Sequence, residues 1–465
     1  MNRLGWFRVK TSMFTHCVLA PSEPRRSATQ SVPVTWGILL FLSAIPPTAA
    51  ANEVAAVGVR DFLDSIGVCT HIGQGIDNPS PSATALAYAG IRNIRDDGNP
   101  RHLQDWISVH YQAGVEVVLT QSGPDDEAIP RPISMSRQLA AAGALLAMEG
   151  PNEPNNWAVT YQGQKSKGDA TFLPVARWQR EFYAKVKSDP VLQHYPVFHS
   201  SEAGGSEPDN VGLQFLTIPT GAGTLMPDGT RYADYANVHN YICRRPAIID
   251  NMAWLNADPL FHDWSDGIYV EYGKTWRKGF AGYSNAQLAT LPRVTTETGW
   301  ATGGKNLTQE QQGRLYLNLY LAQFKQGFKY TFIYMLRDAG GSDAGYGLFD
   351  ADYHPKQSAT YLHNLTAILS DNGVARPGKL RYTIPNPPAT VHDLLLRKSN
   401  GAFELAVWNE RVNGTNDVTV DLGGTHRLVK VFDPTIGIAP IQTYAKARSV
   451  PLTLSDHPVV MEISG

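Results

Sequence analysis

The sequence predicts a (β/α)8 barrel followed by a small all-β domain. Between about residue 60 and residue 370, eight short runs of β-forming residues alternate with segments of helical periodicity, which is typical of α/β folds built on parallel strands. After Leu369 the helical periodicity stops, and a turn-rich segment, 371–378, leads into short alternating strands. No Gly-x-Gly-x-x-Gly follows the first strand, which argues against an open dinucleotide-binding sheet.

The predicted elements of the barrel follow one another along the chain. The strands are predicted at residues 66–71, 91–95, 115–120, 146–153, 197–201, 235–241, 294–297 and 330–336. The clearest helical segments between and after them are 102–113, 135–146, 175–186, 309–324 and 355–369. Apolar residues in these segments recur three or four positions apart, which is the period of an amphipathic helix.

The C-terminal region reads as a β-sandwich. Two apolar runs, 394–397 and 403–408, flank Ser399-Asn400-Gly401, which is typical of a hairpin. Further strands are predicted at 418–422, 428–432 and 459–463. The predicted organisation is therefore a targeting segment at 1–51, a barrel at 52–370 and a β-sandwich domain at 371–465.

The first residues resemble an export signal. An apolar run at 36–45 is followed by two prolines and small residues up to Ala51, a pattern typical of a secretory signal. The run is too short to span a bilayer comfortably. We therefore expect a secreted or periplasmic protein with no membrane span after signal removal. The route stays open, because Met13 could be the true start and Arg25-Arg26 could belong to a twin-arginine signal.

The composition excludes several classes of partner and site. With 40 Lys and Arg against 42 Asp and Glu and no long basic run, the chain has no surface suited to nucleic acid. Of three cysteines, Cys17 precedes the signal. The spacing of Cys69 and Cys243 indicates neither a disulfide framework nor a structural zinc site. The oligomeric state is not predicted.

Two glutamates close predicted barrel strands. The fourth strand ends in Asn152-Glu153-Pro154 and the seventh in Glu297-Thr298-Gly299, while His239-Asn240-Tyr241 closes the sixth. Barrel enzymes carry their reacting groups at the carboxyl ends of the strands. Hydrolysis of a glycosidic bond with retention needs two carboxyl groups about 5–5.5 Å apart, one to protonate the leaving oxygen and one to attack the anomeric carbon.

These motifs, on these strands in this order, resemble the clan A glycoside hydrolases. The resemblance implies that Glu153 is the general acid/base and Glu297 the nucleophile. It also implies that Asn152 binds the sugar 2-hydroxyl, that His239 lines the reacting subsite, and that Tyr241 hydrogen-bonds the nucleophile.

The resemblance extends over nearly the whole barrel. Arg95, at the end of the second strand, matches the clan's arginine that keeps the nucleophile ionised. The appended β-domain is similar in layout to the β-xylosidase/iduronidase-like and β-glucuronidase-like families. One departure concerns the eighth strand, where the clan has a Trp as the floor of the reacting subsite and this chain has Tyr334.

Other residues near the predicted strand ends have two interpretations each. Glu149 lies on the same strand face as Glu153 but deeper, so we interpret it as the partner of a basic group such as Arg95. His71 could contact a sugar hydroxyl or be a core histidine. Trp157 and Trp300 could stack on sugar rings or pack at the rim. For Arg244-Arg245 a surface role is favoured over recognition of a uronic acid.

The predicted function is a retaining glycoside hydrolase that cleaves β-linked glycosides or polysaccharides by double displacement. Arg95 and Tyr241 would hold Glu297 as a carboxylate, and the charge of Glu297 together with the bound substrate would keep Glu153 protonated. The reaction needs neither a metal nor a cofactor. Two alternatives stay open: a transglycosylase using the same residues, and a non-catalytic polysaccharide-binding protein on a barrel scaffold. The sugar, the linkage, and exo or endo action are not predicted.

Overall fold

The protein is described here by a computed structural model covering residues 52–121, 129–166, 171–201, 209–243, 247–261, 276–304 and 306–464. The predicted targeting segment and Arg244-Arg245 lie outside the described residues. The strands are β1 (Asn52–Gly58), β2 (Ile66–Cys69), β3 (Asn93–Asp97), β4 (Glu116–Gln121), β5 (Leu145–Pro151), β6 (Thr160–Tyr161), β7 (Gln164–Lys165), β8 (Val197–Phe198), β9 (Ala236–Asn237), β10 (Arg293–Thr298), β11 (Phe328–Ile333), β12 (Gly378–Tyr382), β13 (Val391–Arg397), β14 (Phe403–Asn409), β15 (Asn416–Phe432), β16 (Pro440–Leu454) and β17 (Pro458–Ser464).

Helices occupy most of the connections between the barrel strands. They are α1 (Val59–Leu63), α2 (Pro79–Ala89), α3 (Leu103–Ala113), α4 (Pro130–Ala141), α5 (Leu173–Ser188), α6 (Met252–Ala257), α7 (Trp276–Gly279), α8 (Asn285–Thr290), α9 (Gln309–Lys325) and α10 (Gln357–Ile368). Helix α9 shows how the sequence sets a boundary. Thr308 accepts a hydrogen bond from the Gln311 backbone, and the Gln311 side chain accepts one from the Thr308 backbone N–H, which forms a capping box.

The barrel prediction is confirmed. Eight parallel strands form one sheet in the order β8-β5-β4-β3-β2-β11-β10-β9, and each of the eight predicted strands overlaps one of them. The sheet closes between its two ends, where the backbone of Phe198 is bridged to Tyr235 in parallel. The closing strands β8 and β9 have only two residues each.

The main core lies between the strands and the surrounding helices. Its largest fully buried side chains are aromatic, including Trp106, Trp178, Phe62 and Phe182. Burying a large apolar side chain of this kind stabilises a fold by about 1.5–3 kcal/mol. A smaller apolar cluster fills the barrel interior beneath the strand ends and contains Phe198, Phe332 and Met335. The strand ends therefore lie above a closely packed apolar layer.

The C-terminal strands form a second sheet with its own core. Its order is β12-β1-β13-β14-β17-β15-β16. The predicted strands 418–422 and 428–432 are the two halves of one long strand, β15, whose pairing with β16 is irregular between Asp421 and His426. Strand β1 pairs antiparallel with β12 and parallel with β13. This sheet therefore includes one strand from the segment that the sequence assigns to the barrel.

Two further features concern the membrane and the thiols. Among the helices described above, none is both long enough and apolar enough to cross a bilayer. Cys69 and Cys243 are both buried.

Candidate active site

Glu153 lies immediately beyond the fourth barrel strand, β5. The backbone N–H of Asn152 donates to the Gln121 carbonyl at 2.7 Å, and the N–H of Glu153 donates to the Ser201 carbonyl at 2.7 Å. These bonds hold the chain between the two neighbouring strands. Glu153 has a φ of 42°, in the left-handed region that costs a non-glycine residue about 1–2 kcal/mol. Such strain persists where the surroundings fix it, and it is common at functional sites.

Glu297 lies inside the seventh barrel strand, β10, and is 7% exposed. Its two carboxylate oxygens have different partners. Arg95 Nη1 forms an ion pair with Oε1, and the Tyr241 hydroxyl donates to Oε2 at 2.6 Å. Burial and the charge of Glu297 raise the pKa of Tyr241 well above its ordinary value, so the phenol stays a donor. Each oxygen of Glu297 therefore has its own donor.

Arg95 is shared between two carboxylates and an amide. Its Nε and Nη2 donate to Glu149 Oε2 and Oε1, each at 2.9 Å, and Nη2 also donates to Asn152 Oδ1 at 2.7 Å. Glu149 is completely buried. The interpretation of Glu149 as the partner of Arg95 is confirmed. This fork geometry fixes the guanidinium so that its remaining nitrogen points at Glu297.

His239 joins the two glutamates. Its Nδ1 lies 2.8 Å from Glu153 Oε1 and 3.4 Å from Glu297 Oε2, and its Nε2 lies 3.2 Å from Thr296 Oγ1. Asn156 Nδ2 donates to the other oxygen of Glu153 at 3.0 Å. One oxygen of each glutamate and a ring nitrogen of His239 all lie within 4.8 Å of one another. The two carboxyl groups therefore face each other across a gap of a few ångströms.

The protonation of Glu153 differs from the sequence-based expectation. Burial raises the pKa of Glu153, but the hydrogen bond from His239 and the charge of that imidazole outweigh burial, so the pKa lies below its ordinary value. Glu153 is therefore ionised at neutral pH in the protein without substrate. The expectation of a protonated Glu153 was based on the charge of Glu297 and on bound substrate, and it left out the imidazole donor of His239.

An aromatic wall stands beside Glu297. Tyr334 contacts the rings of His71, Tyr346 and Tyr241 edge to face, with centroid distances of 5.4, 5.8 and 6.2 Å. Burial, followed by the charge of Glu297, raises the pKa of Tyr334 well above its ordinary value. Tyr334 thus lies where the resemblance led us to expect a Trp. Sequence reasoning gave Tyr346 no role in the site, although its place on the loop after the eighth strand was a usable signal.

Three of the predicted binding residues have different outcomes. Trp300 is only 2% exposed and packs in the main core, so its predicted role in sugar stacking is wrong. Gly299, with a φ of 142°, immediately precedes this buried ring. Trp157 is 58% exposed. Its backbone N–H donates to the Glu153 carbonyl at 2.8 Å, so an accessible indole ring lies beside the acid/base candidate. His71 is 7% exposed and belongs to the aromatic wall.

The chemistry available here is that of a proton-binding carboxyl opposite a fixed carboxylate. Within the described residues, Glu153, His239 and Glu297 are also the one group of side chains close enough together to hold a metal ion. Arg95 and Tyr241 already occupy both oxygens of Glu297, and Asn156 occupies one of Glu153. These contacts suit a nucleophile and a proton donor.

Comparisons with known proteins agree with the architecture. No family model matches the chain, and no curated protein matches it. Among solved structures, a GH30 endoxylanase from Clostridium papyrosolvens is similar with a TM-score of 0.50 and 12% identity, over 90% of this chain and 98% of that one. A GH51 arabinofuranosidase from Xanthomonas axonopodis gives 0.48 and 12%, over 89% and 98%. An endo-β-1,6-glucanase gives 0.47 and 10%, over 89% and 93%.

The likeness to the endoxylanase spans both the barrel and the C-terminal sheet, since it covers nearly the full length of each chain. At this level of identity it bears on the fold. The protein therefore has the barrel-plus-β-domain fold of the clan A glycoside hydrolases.

Proposed function

We propose that the protein is a retaining glycoside hydrolase with Glu297 as nucleophile and Glu153 as acid/base. The observation that carries the proposal is the approach of the two carboxyl groups, which place one oxygen each within 4.8 Å. Retaining enzymes hold their carboxyl groups about 5–5.5 Å apart, whereas inverting enzymes leave about 6.5–9.5 Å for a water molecule. The observed spacing supports attack by Glu297 itself on the sugar.

The reaction has two steps. Glu297 attacks the anomeric carbon while Glu153 gives its proton to the leaving oxygen, forming a glycosyl-enzyme and a free alcohol. Glu153, now a carboxylate, then takes a proton from water as the water oxygen attacks the same carbon and releases Glu297. Asn152, fixed by Arg95, would bind the sugar 2-hydroxyl. No metal or organic cofactor takes part in these steps.

Glu153 must be protonated before the first step. In the free protein His239 lowers its pKa. A sugar seated between the carboxyl groups excludes water from Glu153 while Glu297 stays charged nearby. Both effects raise the pKa of Glu153 in the complex, as in other carboxyl pairs with divided roles.

The substrate is a β-linked glycoside or polysaccharide. The fold is shared with proteins named as an endoxylanase, an arabinofuranosidase and a glucanase, and the exposed Trp157 offers a stacking surface next to Glu153. The apolar run at 36–45 supports secretion or periplasmic export, where polysaccharide substrates are found.

The test is Glu297→Ala, assayed on a panel of aryl β-glycosides and polysaccharides with the product anomer followed by NMR. We expect the variant to lose hydrolysis by at least about 10⁴-fold, and azide to yield a glycosyl azide of inverted configuration. The control is Glu310→Ala, an exposed acid in the first turn of α9, which should match the wild type. A Glu297→Ala protein with wild-type activity would end the proposal.

The same assays separate the alternatives. A 2-fluoro glycoside should label Glu297 in the wild type, and a protein that binds oligosaccharides without labelling would be a binding protein. Added sugar acceptors that divert the glycosyl-enzyme from water would identify a transglycosylase.

A further inference from the structure

We propose that Glu410, in the C-terminal β-sheet region, is a positioning residue for the active site. Its carboxylate fixes the start of helix α6, and the end of α6 fixes the segment that carries His239 and Tyr241. The inference rests on the proposed function of Glu153 and Glu297, because those are the groups that His239 and Tyr241 contact. It assigns to the β-domain a part in catalysis.

The first contact is a helix cap supplied from another part of the chain. Glu410 directly follows β14 and is 5% exposed. Its Oε2 accepts from the backbone N–H groups of Ala253 at 2.7 Å and Trp254 at 3.0 Å, in the first turn of α6. The first N–H groups of a helix have no partner within the helix. The N-cap residue Asn251 makes no side-chain cap, so Glu410 performs that role.

The β-domain holds the same helix by a second set of contacts. The Trp254 ring stacks on His392 at a centroid distance of 4.0 Å with an interplanar angle of 6°. Asn251 Oδ1 lies 2.9 Å from His392 Nε2. The Trp408 indole N–H donates to the other oxygen of Glu410 at 3.0 Å, which orients the carboxylate toward the helix.

The last turn of α6 reaches the active-site segment. Asn256 Nδ2 donates to the Asn240 carbonyl at 2.8 Å, and Asn240 Nδ2 donates to Asn256 Oδ1 at 3.1 Å. Both amides are buried. Asn240 stands between His239, which contacts both glutamates, and Tyr241, which donates to Glu297. A shift of α6 therefore moves both side chains relative to the carboxyl groups.

The barrel also holds α6, through Gln323 of α9 and through Gln326, the C-cap residue of α9. Gln323 Nε2 donates to Asn256 Oδ1 at 3.0 Å, and Gln326 Nε2 donates to the Trp254 carbonyl at 2.7 Å. Loss of the Glu410 side chain would remove the cap from the first turn of α6, while the contacts of Trp254 and Asn256 keep the helix attached. We therefore expect Glu410 variants to fold, with the helix displaced rather than lost.

The experiment compares Glu410→Ala and Glu410→Gln in the full chain with wild type. We expect Glu410→Ala to lower kcat by about 10- to 100-fold with little change in KM, since small misplacements of reacting groups have this effect. The pH profile of its kcat/KM should change as well, because His239 and Tyr241 are displaced from the two carboxyl groups that they contact. Glu410→Gln keeps a carbonyl acceptor for the two backbone N–H groups but turns its amide nitrogen toward the Trp408 indole N–H, so it should recover only part of the loss.

The matched control is Glu404→Gln, a second buried glutamate of the same sheet. Lys398 Nζ lies 2.9 Å from Glu404 Oε1, on the strand that leads to Glu410. This variant should keep the wild-type kcat and pH profile whatever happens to its Tm. A wild-type kcat and pH profile in Glu410→Ala, or the same kinetic change in Glu404→Gln, would overturn the inference.

A readout without substrate separates this inference from the proposed function. The imidazole NMR resonances of His239 report its bond to Glu153 in the free protein. They should shift in Glu410→Ala and stay unchanged in Glu404→Gln. If the wild type proves to be no glycosidase, these resonances still decide whether Glu410 positions His239, and unchanged resonances in Glu410→Ala would refute that.

Discussion

Arg95 determines the charge balance of the site. One guanidinium contacts the carboxylates of Glu149 and Glu297, and it is 5% exposed. The paired charges raise its own pKa, outweighing burial, which by itself lowers it. A buried charge of this kind is costly unless it is paired and hydrogen-bonded. Glu149 therefore fixes the position of Arg95, and Arg95 places a positive charge beside Glu297.

Arg95→Lys is predicted to impair the site through geometry and charge together. A lysine ammonium cannot make the fork to Glu149 and still reach Glu297 and Asn152. We expect kcat to fall by about 100-fold, because Glu297 and Asn152 lose the guanidinium donors that orient them. Arg137→Lys, at a pair whose arginine side chain is 54% exposed, serves as the control. A wild-type kcat in Arg95→Lys would contradict this account.

The turn after the seventh strand depends on a glycine. Gly299 has a φ of 142°, and a Cβ there would lie 2.9 Å from the Tyr316 hydroxyl and 3.0 Å from the Tyr334 carbonyl. The Tyr316 hydroxyl supports the turn that buries Trp300, because it accepts from the Trp300 backbone N–H. The Tyr334 carbonyl belongs to the aromatic wall. This position therefore admits neither the backbone conformation nor the volume of another residue.

Gly299→Ala is predicted to lower the free energy of unfolding by more than Gly303→Ala. Gly303 also has a left-handed φ, of 90°, but nothing lies within 4 Å of its Cβ position, so alanine there costs only about 1–3 kcal/mol of backbone strain. At Gly299 the steric clash adds to the strain and displaces Tyr334, so activity should fall as well. Urea denaturation and kcat of the two variants check this, and equal losses of stability would argue against the clash.

Secondary structure could be predicted where apolar residues recur with a clear period. The barrel strands are buried throughout, as β5 and β10 show, and such runs read as strands from sequence alone. Strand β16 was not predicted because eight of its first ten residues are exposed and give no alternation. Strand β15 was predicted as two strands because Gly423 and Gly424 interrupt its pattern.

The site residues could be predicted as far as strand ends determine them. Glu153, Glu297, His239 and Tyr241 follow from motif and order, and Glu149 follows from the two-residue period of a strand. Trp300 was assigned to the site because it is adjacent to Glu297 in sequence, whereas the turn at Gly299 directs it into the core. The cap from Glu410 to Ala253 joins residues 157 positions apart, and no local pattern reports a contact of that range.

At the scale of the whole molecule, buried carboxyl groups link stability to pH. Burial raises the pKa of Glu404 and of Glu410 to about 7, although Lys398 in one case and backbone donors in the other act in the opposite direction. In the unfolded chain these groups release their protons near their ordinary pKa of about 4.3. The folded state therefore binds more protons between those values, and stability falls as pH rises through that window.

Glu404→Gln is predicted to remove one share of this dependence. Because a shift of one pKa unit corresponds to about 1.4 kcal/mol, the free energy of unfolding of the variant relative to wild type should rise by up to about 3 kcal/mol between pH 4.5 and pH 7.5. Denaturant unfolding at several pH values measures the difference, with Glu310→Gln as an exposed control that should show none. A difference independent of pH would mean that Glu404 titrates normally.

The place of β1 in the second sheet has a consequence for the order in which the protein can be completed. Strand β1 lies between β12 and β13, so the earliest described residues and the last ninety are neighbours in one sheet, with the barrel inserted between them in the chain. During synthesis, β1 is made before the barrel strands, and its partner strands β12 and β13 are made after them. A C-terminal fragment beginning at residue 371 would lack an internal strand of its own sheet. Strand β1 and the C-terminal strands thus join the barrel and the second sheet into one folding unit. A single cut in the chain cannot divide it into a complete barrel and a complete sheet.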